Sequence, residues 1–227
     1  VNGASFLRGA DGIYRCGEFQ CFLWQNHGFG TRTANPPVDL TLRQIHSDQV
    51  WNAHALLNRQ VEGDALVTSD PGCAIGVRTA DCVPILLLDA GRRAVAVIHA
   101  GWRGTAAAIA ARAVEKMQLD FGSRPVDIHA ALGPCIRECC YEVGPEVAAN
   151  FSTLFPEWPA TNGRRHLDLP EANRRHLTAA GVPAGQIFDS GLCTFCLPEQ
   201  FFSYRREPQN PGRMISAIRL LAPEDSA

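Results

Sequence analysis

Between residues 65 and 98 the chain runs through four short apolar stretches: Ala65-Leu66-Val67-Thr68, Cys73-Ala74-Ile75-Gly76-Val77, Pro84-Ile85-Leu86-Leu87-Leu88 and Ala94-Val95-Ala96-Val97-Ile98. Each is bounded by Gly, Asp or Pro, each is often β-branched, and each is apolar at successive rather than alternate positions. A strand of that kind has to be covered on both faces. Whatever this chain folds into must therefore place a sheet in its interior. Gly91-Arg92-Arg93, between the last two runs, suits a tight hairpin. Residues 105–119 carry a helical stripe of Ala107, Ile109, Ala110, Ala113, Val114 and Met117, with Gly122 just beyond its end, and predict a helix. A strand over 126–132 follows, then helices over 145–155, where Pro145 suits the first turn, and 170–180. Ile187-Phe188-Asp189 and Met214-Ile215-Ser216-Ala217-Ile218 read as late strands. Residues 1–40 are irregular, with a strand-like run at Gln20-Cys21-Phe22-Leu23-Trp24. Strands occur both in series and alternating with helices, which predicts a mixed α/β (α+β) class with a largely central sheet.

The 227 residues, 46% of them hydrophobic, suffice for one well-buried core, so a single domain over 1–227 is expected. A formal net charge of −2 gives no electrostatic footprint for nucleic acid or an anionic membrane. The longest apolar run, 83–88, is too short to span a bilayer, and Val1-Asn2-Gly3-Ala4-Ser5 shows no secretory pattern. The nine cysteines are odd in number and irregularly spaced, with Cys139 and Cys140 adjacent, which argues against a disulfide framework. They are expected to be mostly reduced thiols of a cytoplasmic protein, several buried as small hydrophobes. Cys193-Thr194-Phe195-Cys196 has no second pair at zinc-finger spacing and no thioredoxin-like context, so neither a redox pair nor structural zinc is expected there.

Three residues of metal-ligand type stand out. His99 ends a buried run and precedes Gly101-Trp102-Arg103-Gly104; Cys82 follows Asp81; His46 lies in Gln44-Ile45-His46-Ser47. Two imidazoles and a thiolate would leave one coordination position open, as catalytic zinc sites do. Taken alone, Cys82 and His46 read as core or surface side chains, whereas His99 inside His-Ala-Gly-Trp-Arg-Gly reads as a site residue; spacing does not join the three, because they lie far apart in sequence. Asp81 is read either as the group that orients a ligating imidazole or as a surface cap. Arg103 with the helix N-terminus beside it is a candidate anion site. Gly133-Pro134-Cys135-Ile136 is either a pocket wall or a sharp bend. Phe201-Phe202-Ser203-Tyr204-Arg205-Arg206 offers aromatic faces and guanidinium groups for stacking a base or binding phosphate, or else an edge strand with a cationic outer face.

Taken together, Gln44-Ile45-His46-Ser47, Asp64-Ala65, Thr79-Ala80-Asp81-Cys82-Val83-Pro84, His99-Ala100-Gly101-Trp102-Arg103-Gly104, Gly133-Pro134-Cys135-Ile136, Tyr141-Glu142-Val143-Gly144 and Phe202-Ser203-Tyr204-Arg205-Arg206 resemble the laccase-domain family, also called multicopper polyphenol oxidoreductases. Its members are described as purine nucleoside phosphorylases with adenosine deaminase and methylthioadenosine phosphorylase activity. The resemblance covers roughly residues 27 to 219. It implies a layered α/β/β/α domain, a cytoplasmic enzyme, and a zinc site (copper being the other candidate) at His46, Cys82 and His99. The sequence departs from the family pattern after His27-Gly28-Phe29-Gly30-Thr31-Arg32, where Thr33-Ala34-Asn35-Pro36-Pro37 and a short run stand in place of a longer segment. A shortened first pocket wall is expected.

The expected activity is phosphorolysis of inosine, adenosine and methylthioadenosine, together with adenosine deamination, for which a metal-acidified water suits attack at C6. Cys82, His99 and Arg103 are the expected catalytic residues, and Arg32, Gln44 and Arg205 the expected substrate-binding residues. The expected partners are a purine nucleoside and phosphate, met by a monomer without nucleic acid or membrane. The rival readings are a copper polyphenol oxidase, a metal-free Cys82–His99 hydrolase that would include cell-wall precursor editing, and a non-catalytic metal- or nucleotide-binding protein.

Overall fold

The structure, a computed structural model, describes residues 6–56, 61–158, 163–209 and 211–222. The segment 1–5 read for a leader lies outside them. The strands are β1 (Phe6–Arg8), β2 (Tyr14–Cys16), β3 (Gln25–Phe29), β4 (Val50–Asn52), β5 (Ala65–Thr68), β6 (Ile75–Thr79), β7 (Val83–Asp89), β8 (Ala94–Ala100), β9 (Ile128–Leu132), β10 (Glu142–Val143), β11 (Arg165–His166), β12 (Ile187–Asp189) and β13 (Met214–Leu220). The α-helices are α1 (Trp102–Ala106), α2 (Ile109–Phe121), α3 (Pro145–Ala148) and α4 (Leu169–Ala179). One sheet has the order β12-β9-β7-β8-β5-β4, the other β1-β2-β3-β13-β6, and β10 with β11 forms a small ribbon.

The six-stranded sheet is the one demanded by the apolar runs. Along β7, Ile85 and Leu87 face the core shared with α2 and α4, while Leu86 and Leu88 face the core shared with the other sheet. On β8, Ala96 and Ile98 take the first side and Val95 and Val97 the second. All eight are fully buried, and each of the larger ones contributes about 1.5–3 kcal/mol over exposure. The predicted mixed α/β class is therefore met by two stacked sheets with helices on the far side of the larger one. No helix among the described residues is long and apolar enough to cross a membrane.

The outer face of the five-stranded sheet is covered differently. Gly28, Ala217 and Gly76 lie side by side across β3, β13 and β6. A Cβ at Gly28 would meet Ile13 at 2.6 Å, and one at Gly76 would meet Val38 at 2.6 Å. This row of small residues lets the chain around Pro36 and Val38 lie flat on the sheet.

Several local expectations are corrected. The helix predicted over 105–119 starts earlier and breaks into α1 and α2 at Ala108, which is left-handed (φ 60°). A Cβ at Gly104 would stand 2.8 Å from the Ser47 carbonyl, so α1 packs closely on the His46 loop. The strand-like run 20–24 is not a strand; a 3-10 turn over Gly17–Cys21 precedes β3. The helix over 145–155 stops at Ala148 and continues as a 3-10 turn over Ala149–Phe151. The hairpin at 91–93 forms as expected, with Asp89 Oδ1 accepting from the Gly91 and Arg92 N–H groups. All nine cysteines are free.

Candidate active site

The hydrogen-bond register of the large sheet assembles the site. Val83 pairs with Ala100 and Ala65 with Ile98. Cys82, just before β7, therefore lies beside Gly101, just after β8, and Asp64, just before β5, lies beside His99, whose N–H donates to the Asp64 carbonyl at 2.7 Å. One end of the sheet thus carries Asp64, Cys82 and His99.

Asp64 does most of the positioning. It is fully buried. Its Oδ1 accepts from His99 Nδ1 at 2.8 Å and from the His46 N–H at 3.0 Å. Its Oδ2 accepts from Ser47 N–H at 2.6 Å, Ser47 Oγ at 2.7 Å and Ile45 N–H at 3.3 Å. Burial alone would raise the Asp64 carboxyl, but the donors from His99 and Ser47 bring it down to about 2. The bond to Nδ1 fixes the orientation of the His99 ring and turns Nε2 toward Cys82. The donors from 45–47 hold His46 in the left-handed conformation (φ 60°), which is uncommon for a residue other than glycine.

His46, Cys82 and His99 offer ligand atoms all within 4.8 Å of one another. The two rings lie edge to face with centroids 4.8 Å apart. A Cβ on Gly101 would stand 3.0 Å from both Cys82 Sγ and His46 Cδ2, so only glycine leaves the space in front of the three ligands clear. Burial works against the Cys82 thiolate, yet the His99 and His46 rings outweigh it and lower the thiol to about 6. Burial likewise opposes the His99 cation, while Cys82 and Asp64 raise it to about 9. An electron-rich sulfur next to two imidazoles is a donor set that a soft or borderline cation satisfies.

These residues open into a cavity of about 950 Å³. Trp102, Tyr141 and Tyr204 supply aromatic faces, and Arg43, Arg78, Arg103, Arg205 and Arg213 supply cationic heads. Arg103 stacks on Trp102 with its guanidinium 4.4 Å from the ring centroid. Arg205 lies 5.2 Å from the Tyr141 ring and donates to the Glu142 carbonyl at 3.0 Å. Burial pushes the Tyr141 phenol up to about 12, so it stays a hydroxyl.

Asp81 neither orients an imidazole nor caps the surface. It is buried and left-handed (φ 85°). It accepts from Thr194 Oγ1 at 2.6 Å, Ser203 Oγ at 3.0 Å and the Arg205 N–H at 2.7 Å, which ties the Tyr204–Arg205 loop to the end of the sheet that carries Cys82. The residues 201–206 form a loop, not an edge strand. Within it Arg206 turns away from the cavity to bind the carbonyls of Thr194, Phe195 and Phe201.

The expected substrate residues divide. Arg205 lines the cavity, and so does Gln44, although both ends of the Gln44 amide are engaged by the Arg78 backbone at 2.8 Å. Arg32 does not line it; its guanidinium donates to the Pro198 carbonyl and Glu207 and lies 4.5 Å from the Phe202 ring centroid. The anion site expected at a helix N-terminus is also revised, since α1 has only five residues and a correspondingly weak dipole. The cationic character comes from arginine side chains. No described residue before Thr41 lines the cavity, so the short segment after Arg32 adds nothing to its wall. Gly133 is a bend, not a wall: a Cβ there would lie 2.2 Å from Phe29. Sequence reasoning gave no role to Asp64, although the Asp64-Ala65 pair was visible, and it overlooked Arg43, Arg78, Arg213 and the Tyr141 ring, whose only signal was a place near recognisable motifs.

A two-sheet α/β protein with a His–Cys–His cluster at one sheet end and an arginine-lined aromatic cavity over it is a narrow class. The chain belongs to the multi-copper polyphenol oxidoreductase laccase family, whose model matches residues 26–221. It is 45% identical over 181 residues to a Deinococcus radiodurans protein named purine nucleoside phosphorylase, covering 79% of this chain and 69% of the relative. It is 48% identical over 162 residues to adenosine deaminase RL5 from an unknown prokaryotic organism, covering 68% and 61% respectively. Some relatives are thus spanned for less than two thirds of their own length. The crystal structure of YlmD from Geobacillus stearothermophilus superimposes with a TM-score of 0.85 at 30% identity, over 96% of this chain and 100% of that one.

Proposed function

We propose that the chain folds as one domain and is a zinc-dependent purine nucleoside enzyme that performs phosphorolysis of inosine, adenosine and methylthioadenosine and deaminates adenosine. The observation that carries this reading is the placement of three convergent metal-type ligands at the floor of a cavity that also presents aromatic faces and arginines. Its size is within the range of small-molecule sites. The names of the relatives support the substrate class.

His46, Cys82 and His99 would hold the metal, with His99 presenting Nε2 because Asp64 occupies Nδ1. A bound zinc ion supplies Lewis acidity that brings water toward neutral pKa, as deamination requires. Trp102, Tyr141 and Tyr204 offer stacking surfaces for the purine. In phosphorolysis a phosphate oxygen bonds to C1′ as the C1′–N bond to the purine breaks, and the departing base takes a proton. Arg103 and Arg205 hold the phosphate by charge-assisted hydrogen bonds.

The test is phosphate-dependent release of hypoxanthine from inosine, together with ammonia release from adenosine, by zinc-loaded protein. Both products are expected. Absence of both would refute the reading.

One observation favours a second reading. Asp64, His99 and Cys82 follow one another as orienting acid, base and nucleophile do in cysteine hydrolases. Such a triad works without metal, so resistance to chelation together with loss of activity on alkylation would select it. A multicopper oxidase finds less support. Five of the seven histidines lie away from the cluster; His27, for example, is buried against the Cys16 N–H, and His54 pairs with Asp70 at 3.0 Å.

A further inference from the structure

A second metal-type cluster lies outside the pocket. Cys139, Cys140, Cys193 and Cys196 bring their sulfurs to within 4.8 Å of one another. The Cys193-x-x-Cys196 pair, isolated in sequence, thus meets the adjacent Cys139-Cys140 in space. The cause is the parallel pairing of β9 with β12, in which Asp189 lies opposite Leu132. It continues into an isolated bridge between Cys135 and Cys193, so the chain after β9 and the chain after β12 run side by side. Arg137 clamps the two with an ion pair to Asp189 at 2.6 Å. The Cys140 and Tyr141 N–H groups both donate to the Arg137 carbonyl at 2.9 Å, closing a turn from which both adjacent cysteines reach the same point.

The sulfur separations are specific. Cys139 to Cys140 is 3.5 Å, Cys139 to Cys196 is 3.8 Å and Cys140 to Cys196 is 3.3 Å. Four thiolates around one zinc ion at about 2.3 Å would stand about 3.8 Å apart at the corners of a tetrahedron. The observed spacing is close to that figure and leaves no room for sulfide-bridged iron. Backbone N–H groups of Cys196, Arg137 and Phe195 are directed at the Cys193 sulfur, the kind of surroundings that orient a metal-bound thiolate. We infer that these four cysteines form a structural zinc site, closed to substrate, that fastens together the two loops bearing Tyr141 and Arg205 at the mouth of the cavity. It stands apart from the His46, Cys82 and His99 cluster and does not depend on what that cluster does.

The protein, purified reduced with zinc supplied, should hold about two zinc ions per chain. Cys82→Ala should keep about one, and adding Cys139→Ser and Cys196→Ser to it should remove that one. Should the triple variant fail to fold, cobalt replaces it as the probe. Reduced Cys82→Ala loaded with cobalt should show an intense thiolate-to-cobalt charge-transfer band and the visible bands of tetrahedral cobalt. A folded triple variant with the zinc content of Cys82→Ala, or reduced Cys82→Ala with no charge-transfer band, would overturn the inference.

Discussion

Single side chains decide whether the cluster at the sheet end can hold a metal, and three substitutions separate their roles. Asp64→Asn keeps the size of the side chain but puts an amide where five donors converge. It should weaken metal retention by about 10–100-fold, the usual cost of removing a group that orients a ligand, and lower stability by about 1–3 kcal/mol; dialysis against competing chelator and urea unfolding measure the two. Gly101→Ala acts by bulk alone, because the backbone there is extended (φ −75°) and suits alanine. Its methyl would occupy the space before Cys82 and His46, so metal should be lost from this site while the four-cysteine cluster keeps its own. Normal zinc stoichiometry in a folded Gly101→Ala protein would contradict the assignment. Arg103→Lys should raise the KM for phosphate with little change in melting temperature, because lysine lacks the bidentate fork; early melting with unchanged kinetics would make Arg103 structural. The three members of the cluster were visible in sequence because each sits in a distinctive short motif. Asp64 as their organiser was not, since its partner His99 is 35 residues away and only strand register joins them.

Elements were legible where the pattern was redundant. The runs that became β5, β7 and β8 are apolar at successive positions, and the two stacked cores bury both of their faces. The break between α1 and α2 was hidden because alanine at 106–108 reads as good helix former and no glycine or proline marks the left-handed position at Ala108. The left-handed Ala108 is a cost of about 1–2 kcal/mol that glycine would not bear. After allowance for glycine's greater chain entropy, Ala108→Gly should stabilise the protein by about 0.5–1 kcal/mol, readable as a raised urea midpoint with an unchanged slope. A lowered midpoint would mean that the Ala108 methyl packs better than this account holds. The four-cysteine cluster was illegible for a related reason: adjacent cysteines and a C-x-x-C pair are brought together by a parallel strand pairing that no local pattern announces.

For the whole molecule, two stacked sheets with helices on the outer side of the larger one leave a sheet end free, and the loops that gather there carry the ligands, the aromatic faces and the arginines. The mixed α/β class with a central sheet was readable from the strand and helix pattern, and layering from the family resemblance; the cavity was not, because its walls come from segments as far apart as Thr41 and Arg213. The central claim is that a metal held by His46, Cys82 and His99 is required for purine nucleoside chemistry. The direct measurement is to strip the metal with a strong chelator, verify its absence, assay inosine phosphorolysis and adenosine deamination, then restore zinc or copper and assay again. Both activities should be lost in metal-free protein and return with zinc. Full activity in verified metal-free protein, or recovery with copper alone accompanied by phenol oxidation, would contradict it.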